Sequence, residues 1–132
     1  MKIKNKKDFK ILIVDDSDLS RRTMVDILKK EDYNSIGEAS SSEKAIKVAI
    51  ETKPSLYIID VVMPNVSGLD LIKHLKGQAL DAKMIMTSSL RTEYIIVEAI
   101  SNGASDFLQK PFSQIELISS VDKIYSGMLT SK

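Results

Sequence analysis

Five short segments of this chain each stop at a polar residue, and a stretch of helical period separates each from the next. Phe9 to Val14 stops at Asp15 and Asp16, Ser35 to Ala39 at Ser40, and Leu56 to Ile59 at Asp60. Met84 to Thr87 stops at Ser88 and Ser89, and Asp106 to Gln109 at Lys110. In the first segment, β-branched content and an abrupt polar end mark a strand buried on both faces, whereas Ser35 to Ala39 reads as a weak strand shortened by Gly37. Between the segments and after the last, apolar residues recur at helical spacing. The expected inward sets are Leu19, Thr23, Ile27 and Leu28 with Met24 beside them, then Ala45, Ile46, Ala49 and Ile50, then Leu69, Leu71, Ile72 and Leu75. Ile96, Ala99 and Ile100 form the fourth set, and Leu117, Val121, Ile124 and Tyr125 the fifth. Ser17 or Asp18, Ser40 to Ser42, Ser67, Thr92 and Ser113 stand where caps are needed, while Pro54, Gly77 and Gly103 close segments. Strand-helix alternation with short connections predicts an α/β fold, a parallel sheet with helices on both faces.

Composition narrows the chemistry. The 132 residues suit one domain, and 43% hydrophobic with 28% charged content suits a packed core. A formal net charge of +1 gives no electrostatic reason to expect direct nucleic-acid binding or a membrane surface. The absence of cysteine excludes disulfides, thiolate metal sites and a cysteine nucleophile, and fits a cytoplasmic setting. His74 is the only histidine, expected on the surface, so a histidine metal centre has no material. No apolar run approaches the ~20 residues of a membrane span. The expected organisation is a frayed basic lead-in over 1–8, one domain over 9–128, and a tail over 129–132.

In an open parallel sheet the strand carboxyl ends share one edge, where ligands bind. Asp15, Asp16, Asp60, Ser88 and Lys110 all stand at such ends. Three close carboxylates raise one another's pKa values unless a hard cation joins them. Magnesium, which takes oxygen ligands and bridges carboxylate to phosphate, suits that set. Asp60 can then act as a nucleophile toward phosphorus, with Lys110 and the Ser88 hydroxyl toward the phosphoryl oxygens.

In this order and spacing the residues resemble the receiver domain of two-component response regulators, in particular single-domain chemotaxis receivers. The carriers are Asp15-Asp16, the run Ile58-Ile59-Asp60-Val61-Val62-Met63-Pro64 with Gly68, Ser88, Gly103-Ala104 and Lys110-Pro111-Phe112. The likeness spans Phe9 to Met128. It implies a flavodoxin-like (βα)5 fold with strand order 2-1-3-4-5 and a phosphoacceptor role for Asp60. It implies magnesium held by Asp16, Asp60, the Val62 carbonyl and, through water, Asp15. Lys110 would sense the phosphoryl group, with a cis bond to Pro111. Ser88 would move toward that group as Phe107 turns inward, altering the surface of the fourth helix, fifth strand and fifth helix. Arg91, Ile96, Phe107 and Lys123 are the expected output residues. The implied partners are a sensor histidine kinase or phosphotransfer protein, a small acyl-phosphate donor and a downstream protein target, the chain being a monomer or a phosphorylation-dependent dimer. The protein would be a switch, not an enzyme, beyond its own phosphotransfer and slow autodephosphorylation. Ser88 stands where threonine is frequent in the family, and Phe107 where tyrosine is.

Plainer readings compete. Asp15 and Asp16 could be only a strand-to-helix turn, Thr87 or Ser89 could take the role given to Ser88, and Phe107 could be simple core. Two other functions are open: a small magnesium-dependent phosphohydrolase using Asp16 as nucleophile, and a pseudo-receiver that binds partners without phosphorylation.

Overall fold

The computed structural model describes residues 3–77, 81–90 and 92–130. In chain order the elements are β1 (Ile11–Val14), α1 (Asp18–Lys30), β2 (Ile36–Ala39), α2 (Ser42–Thr52), β3 (Leu56–Asp60), α3 (Gly68–Gly77), β4 (Lys83–Ser88), α4 (Glu93–Ser101), β5 (Asp106–Gln109) and α5 (Gln114–Met128). All strand pairs are parallel, and their order across the sheet is β2-β1-β3-β4-β5. The chain therefore steps one way from β1 to β2, and the other way from β1 to β3 onward. The crevice between β1 and β3 is where such a sheet opens to ligands.

Strand residues alternate between two cores because successive side chains point to opposite faces. Leu12, Val14, Tyr57, Ile59, Met84 and Met86 face α3 and its neighbours, packing with Leu71, Ile72, Leu75 and Ala99. Ile11, Ile13, Ile58, Ile85 and Leu108 face α1 and α5, packing with Met24, Leu28, Leu117 and Val121. Each such apolar side chain taken from water contributes roughly 1.5–3 kcal/mol. Ser17, Ser41 and Ser113 cap their helices through hydroxyl oxygens that accept backbone N–H groups, and Ser113 forms a full capping box with Glu116. Thr92 sits at the start of α4 without a side-chain cap bond.

Several inward sets differ from the sequence reading. In α1 the buried residues are Met24, Val25, Ile27 and Leu28, whereas Leu19 is 77% exposed. Ile50 of α2 and Ile96 and Ile100 of α4 also face outward, and Ala99 with half-buried Ile95 holds α4 to the sheet. A helix that is apolar nearly all round offers no period from which to choose its inner face.

The basic lead-in is not frayed over its described part. Ile3 is buried and pairs in parallel with Leu129. Its N–H donates to the Thr130 hydroxyl at 3.1 Å, and the Thr130 N–H donates to its carbonyl at 2.7 Å. A 3-10 turn at Lys6–Asp8 then leads to Phe9, which is buried ahead of β1 rather than within it. Phe9, Tyr33 and Tyr125 pack as a triad, edge-to-face or tilted, with centroids 5.2–5.9 Å apart. No helix among the described residues is long and apolar enough to cross a membrane.

Candidate functional site at the carboxyl edge of the sheet

Asp15 follows β1 directly and is fully buried. Both its oxygens accept hydrogen bonds: Oδ1 accepts the Ser17 N–H at 2.9 Å, while Oδ2 accepts the Ser20 hydroxyl at 2.8 Å and the Lys110 ammonium at 2.6 Å. Asp16, the next residue, is exposed, and its carboxylate has no hydrogen bond among the described residues. Asp60 ends β3 at 8% exposure. Its Oδ1 accepts the Val62 N–H at 3.0 Å and its Oδ2 accepts Lys110 at 3.0 Å. One oxygen each of Asp15, Asp16 and Asp60 lies within 4.8 Å of the others. An all-oxygen donor set of this density suits a hard divalent cation such as magnesium.

Burial pushes the Asp60 carboxyl above its ordinary range, against the downward pull of Lys110 and the Val62 N–H. Burial alone would lower the Lys110 ammonium, but its bonds to Asp15 and Asp60 outweigh this and raise it. Lys110 thus stays charged and spans the two buried acids.

Local backbone explains the placement. Gly68 opens α3 directly against the end of β3, and its N–H donates to the Val61 carbonyl at 2.9 Å. A Cβ there would lie 2.1 Å from the Asp60 carbonyl oxygen, so no side chain fits. Ser42 is buried and its hydroxyl donates to the Val66 carbonyl at 2.9 Å, tying α2 to the loop that follows Asp60. The Lys110-Pro111 bond is cis.

Ser88 is buried at the end of β4, and its Oγ accepts the Leu90 N–H at 2.9 Å. Its carbonyl accepts the Lys110 N–H at 2.8 Å, which joins the two strand ends. Thr87 pairs with Asp60 in register, yet its buried hydroxyl has no hydrogen-bond partner among the described residues. Phe107 is half-buried against the core on the α3 side. Val62 and Leu90 are 50% and 43% exposed. Of the expected output residues, Ile96 and Lys123 are exposed, and Arg91 lies outside the described residues.

Two residues of α1 had no place in the sequence reading. Ser20 holds the Asp15 carboxylate, and the Arg21 guanidinium donates to the Asp15 carbonyl at 2.6 Å. The available signal was a hydroxyl and a cation one helical turn beyond an acidic pair.

The family model for the response regulator receiver domain matches residues 11–122. The chain belongs to the response regulator receiver family. It is 34% identical over 115 residues to a chemotaxis protein CheY of Thermotoga maritima, covering 87% of this chain and 96% of that protein. The solved signal receiver domain of a histidine kinase from Syntrophus aciditrophicus superposes with a TM-score of 0.84 at 31% identity, covering 94% of this chain and 95% of that one. A Vibrio cholerae chemotaxis protein, CheY4, shares the fold with a TM-score of 0.82 at 24% identity, over 88% of this chain and 98% of that one. Receivers are signalling switches that bind magnesium at an acidic site and work with histidine kinases and downstream targets. The Asp15, Asp16 and Asp60 pocket of this receiver fits phosphorylation.

Proposed function

We propose that the protein is a phosphorylation switch in which Asp60 takes a phosphoryl group from a histidine kinase, a phosphotransfer protein or a small acyl phosphate. The observation that carries this reading is the spacing of Asp15, Asp16 and Asp60 within 4.8 Å while Lys110 contacts both buried acids. An Asp60 oxygen attacks phosphorus and forms a P–O bond. The donor's P–N or P–O bond breaks, and its electron pair leaves with the donor. Asp16, Asp60 and the Val62 carbonyl would hold magnesium, with Asp15 reaching it through water because its oxygens are engaged. The bound cation would offset charge on the phosphoryl oxygens.

Lys110 is a compact mobile cation that can exchange Asp60 Oδ2 for a phosphoryl oxygen. Ser88 would give up the Leu90 N–H bond and turn toward the same group. The Ser88 carbonyl already accepts the Lys110 N–H, so that shift reaches β5, Phe107 and the neighbouring faces of α4 and α5. The phosphoryl group then favours one of two packings, and a downstream protein reads the difference through Ile96, Phe107, Lys123 and Arg91. The proposed setting is the cytoplasm.

Two-dimensional amide NMR with magnesium and beryllofluoride tests this reading. Shifts at Ser88, Phe107 and α4 in wild type, absent in Asp60→Asn, are expected. Shifts confined to the loop after β3 would mean that no conformational switch is coupled to the site.

A further inference from the structure

Arg21 lies in the second turn of α1, with its side chain only 13% exposed. Its guanidinium meets three acceptors at once, one in the loop after β1, one on α1 itself and one on β2. One Nη donates to the backbone carbonyl of Asp15 at 2.6 Å, the other pairs with the Asp18 carboxylate, and Nε donates to Glu38 Oε1 of β2 at 3.3 Å. A planar fork of donors can satisfy such a set, and a lysine ammonium cannot.

The carbonyl that Arg21 holds belongs to the peptide joining Asp15 to Asp16. Asp15 is fixed from its side chain by Ser17, Ser20 and Lys110. Asp16 has no comparable support among the described residues, so its carboxylate is aimed by its backbone alone. We propose that Arg21 is a positioning residue: by holding the Asp15-Asp16 peptide between α1 and β2, it aims Asp16 at the cation. The inference rests on the reading of the acidic pocket as a magnesium site, and assigns Arg21 a part in that site's affinity.

Charge and position predict opposite outcomes. Removing a cation from beside three carboxylates strengthens their attraction for magnesium by Coulomb's law. Removing the support of a ligand's backbone weakens it, by about tenfold for a partner of this kind. Asp18 and Glu38 already offset the guanidinium charge, so loss of position should dominate.

The experiment is calorimetric magnesium titration of wild type, Arg21→Met, Arg21→Lys and Arg22→Met, with urea unfolding of each as a check of fold. The exposed Arg22 controls for a change of charge on the same helix. Dissociation constants about tenfold weaker for both Arg21 variants, with Arg22→Met unchanged, are expected. Arg21→Lys keeps the charge and answers the question should Arg21→Met fail to fold. Unchanged or tighter binding by a folded Arg21 variant overturns the positioning role alone. No magnesium uptake by wild type overturns the site reading and this inference with it.

Discussion

At the scale of single residues, the site is a contest between burial and pairing. Asp15 and Asp60 are taken from water, and Lys110 offsets their charge at 2.6 and 3.0 Å. Thr87 shows the opposite case, a buried hydroxyl with no partner among the described residues. Leaving a polar group unsatisfied costs about 1–3 kcal/mol, so Thr87→Val should raise stability by ~1 kcal/mol. Urea unfolding should show a higher midpoint at unchanged slope. A lower midpoint would mean that the hydroxyl finds a partner in solution. The acids and Lys110 were legible in the sequence because each stands where a strand stops. Ser20 and Arg21 were not, because their task is set by what lies across α1, and helical period records only which residues share a face.

At the scale of elements, strands were read more securely than helix faces. β1, β3 and β4 have both faces covered, so an unbroken apolar run suffices to find them. α4 has apolar residues at Tyr94 to Val97 and at Ala99 and Ile100, but only Ala99 is buried. Its inner face is chosen by contact with the sheet, which the sequence of the helix alone does not encode. Val62 and Leu90 follow the ends of β3 and β4, donate their N–H groups to Asp60 and Ser88, and leave their apolar side chains half-exposed. Apolar side chains beside Asp60 and Ser88 are expected to hinder an attacking water, so the phosphorylated form should persist longer than in a Val62→Asn, Leu90→Glu variant. Loss of phosphate after donor removal measures this, and equal or slower decay in the variant would contradict it.

At the scale of the whole molecule, the two ends of the described chain meet. Ile3 pairs with Leu129, and Tyr33 after α1 donates to Asp122 of α5 at 2.5 Å. Burial, then the bond to Asp122, holds the Tyr33 proton well above the ordinary phenol value of 10.0. Above that value the unfolded chain loses this proton while the folded chain keeps it, so stability is intact below pH 10.0 and falls as pH rises further. Tyr33→Phe should cost about 1–2 kcal/mol near neutrality and flatten the alkaline decline, as read by urea unfolding at several pH values. An undiminished decline in the variant would assign it to other groups, of which buried Tyr57 is one. The sequence concealed this join because its partners lie at opposite ends of the chain, and a basic stretch reads as solvated until Ile3 has a place to go.

Phosphorylation of Asp60 is the proposal on which the switch depends. Wild type and Asp60→Asn should be incubated with a small acyl phosphate, with and without magnesium, and weighed intact by mass spectrometry. One added phosphoryl group is expected on wild type only with magnesium, and none on Asp60→Asn. An equal adduct on the variant, or an adduct on wild type independent of magnesium, would contradict the proposal.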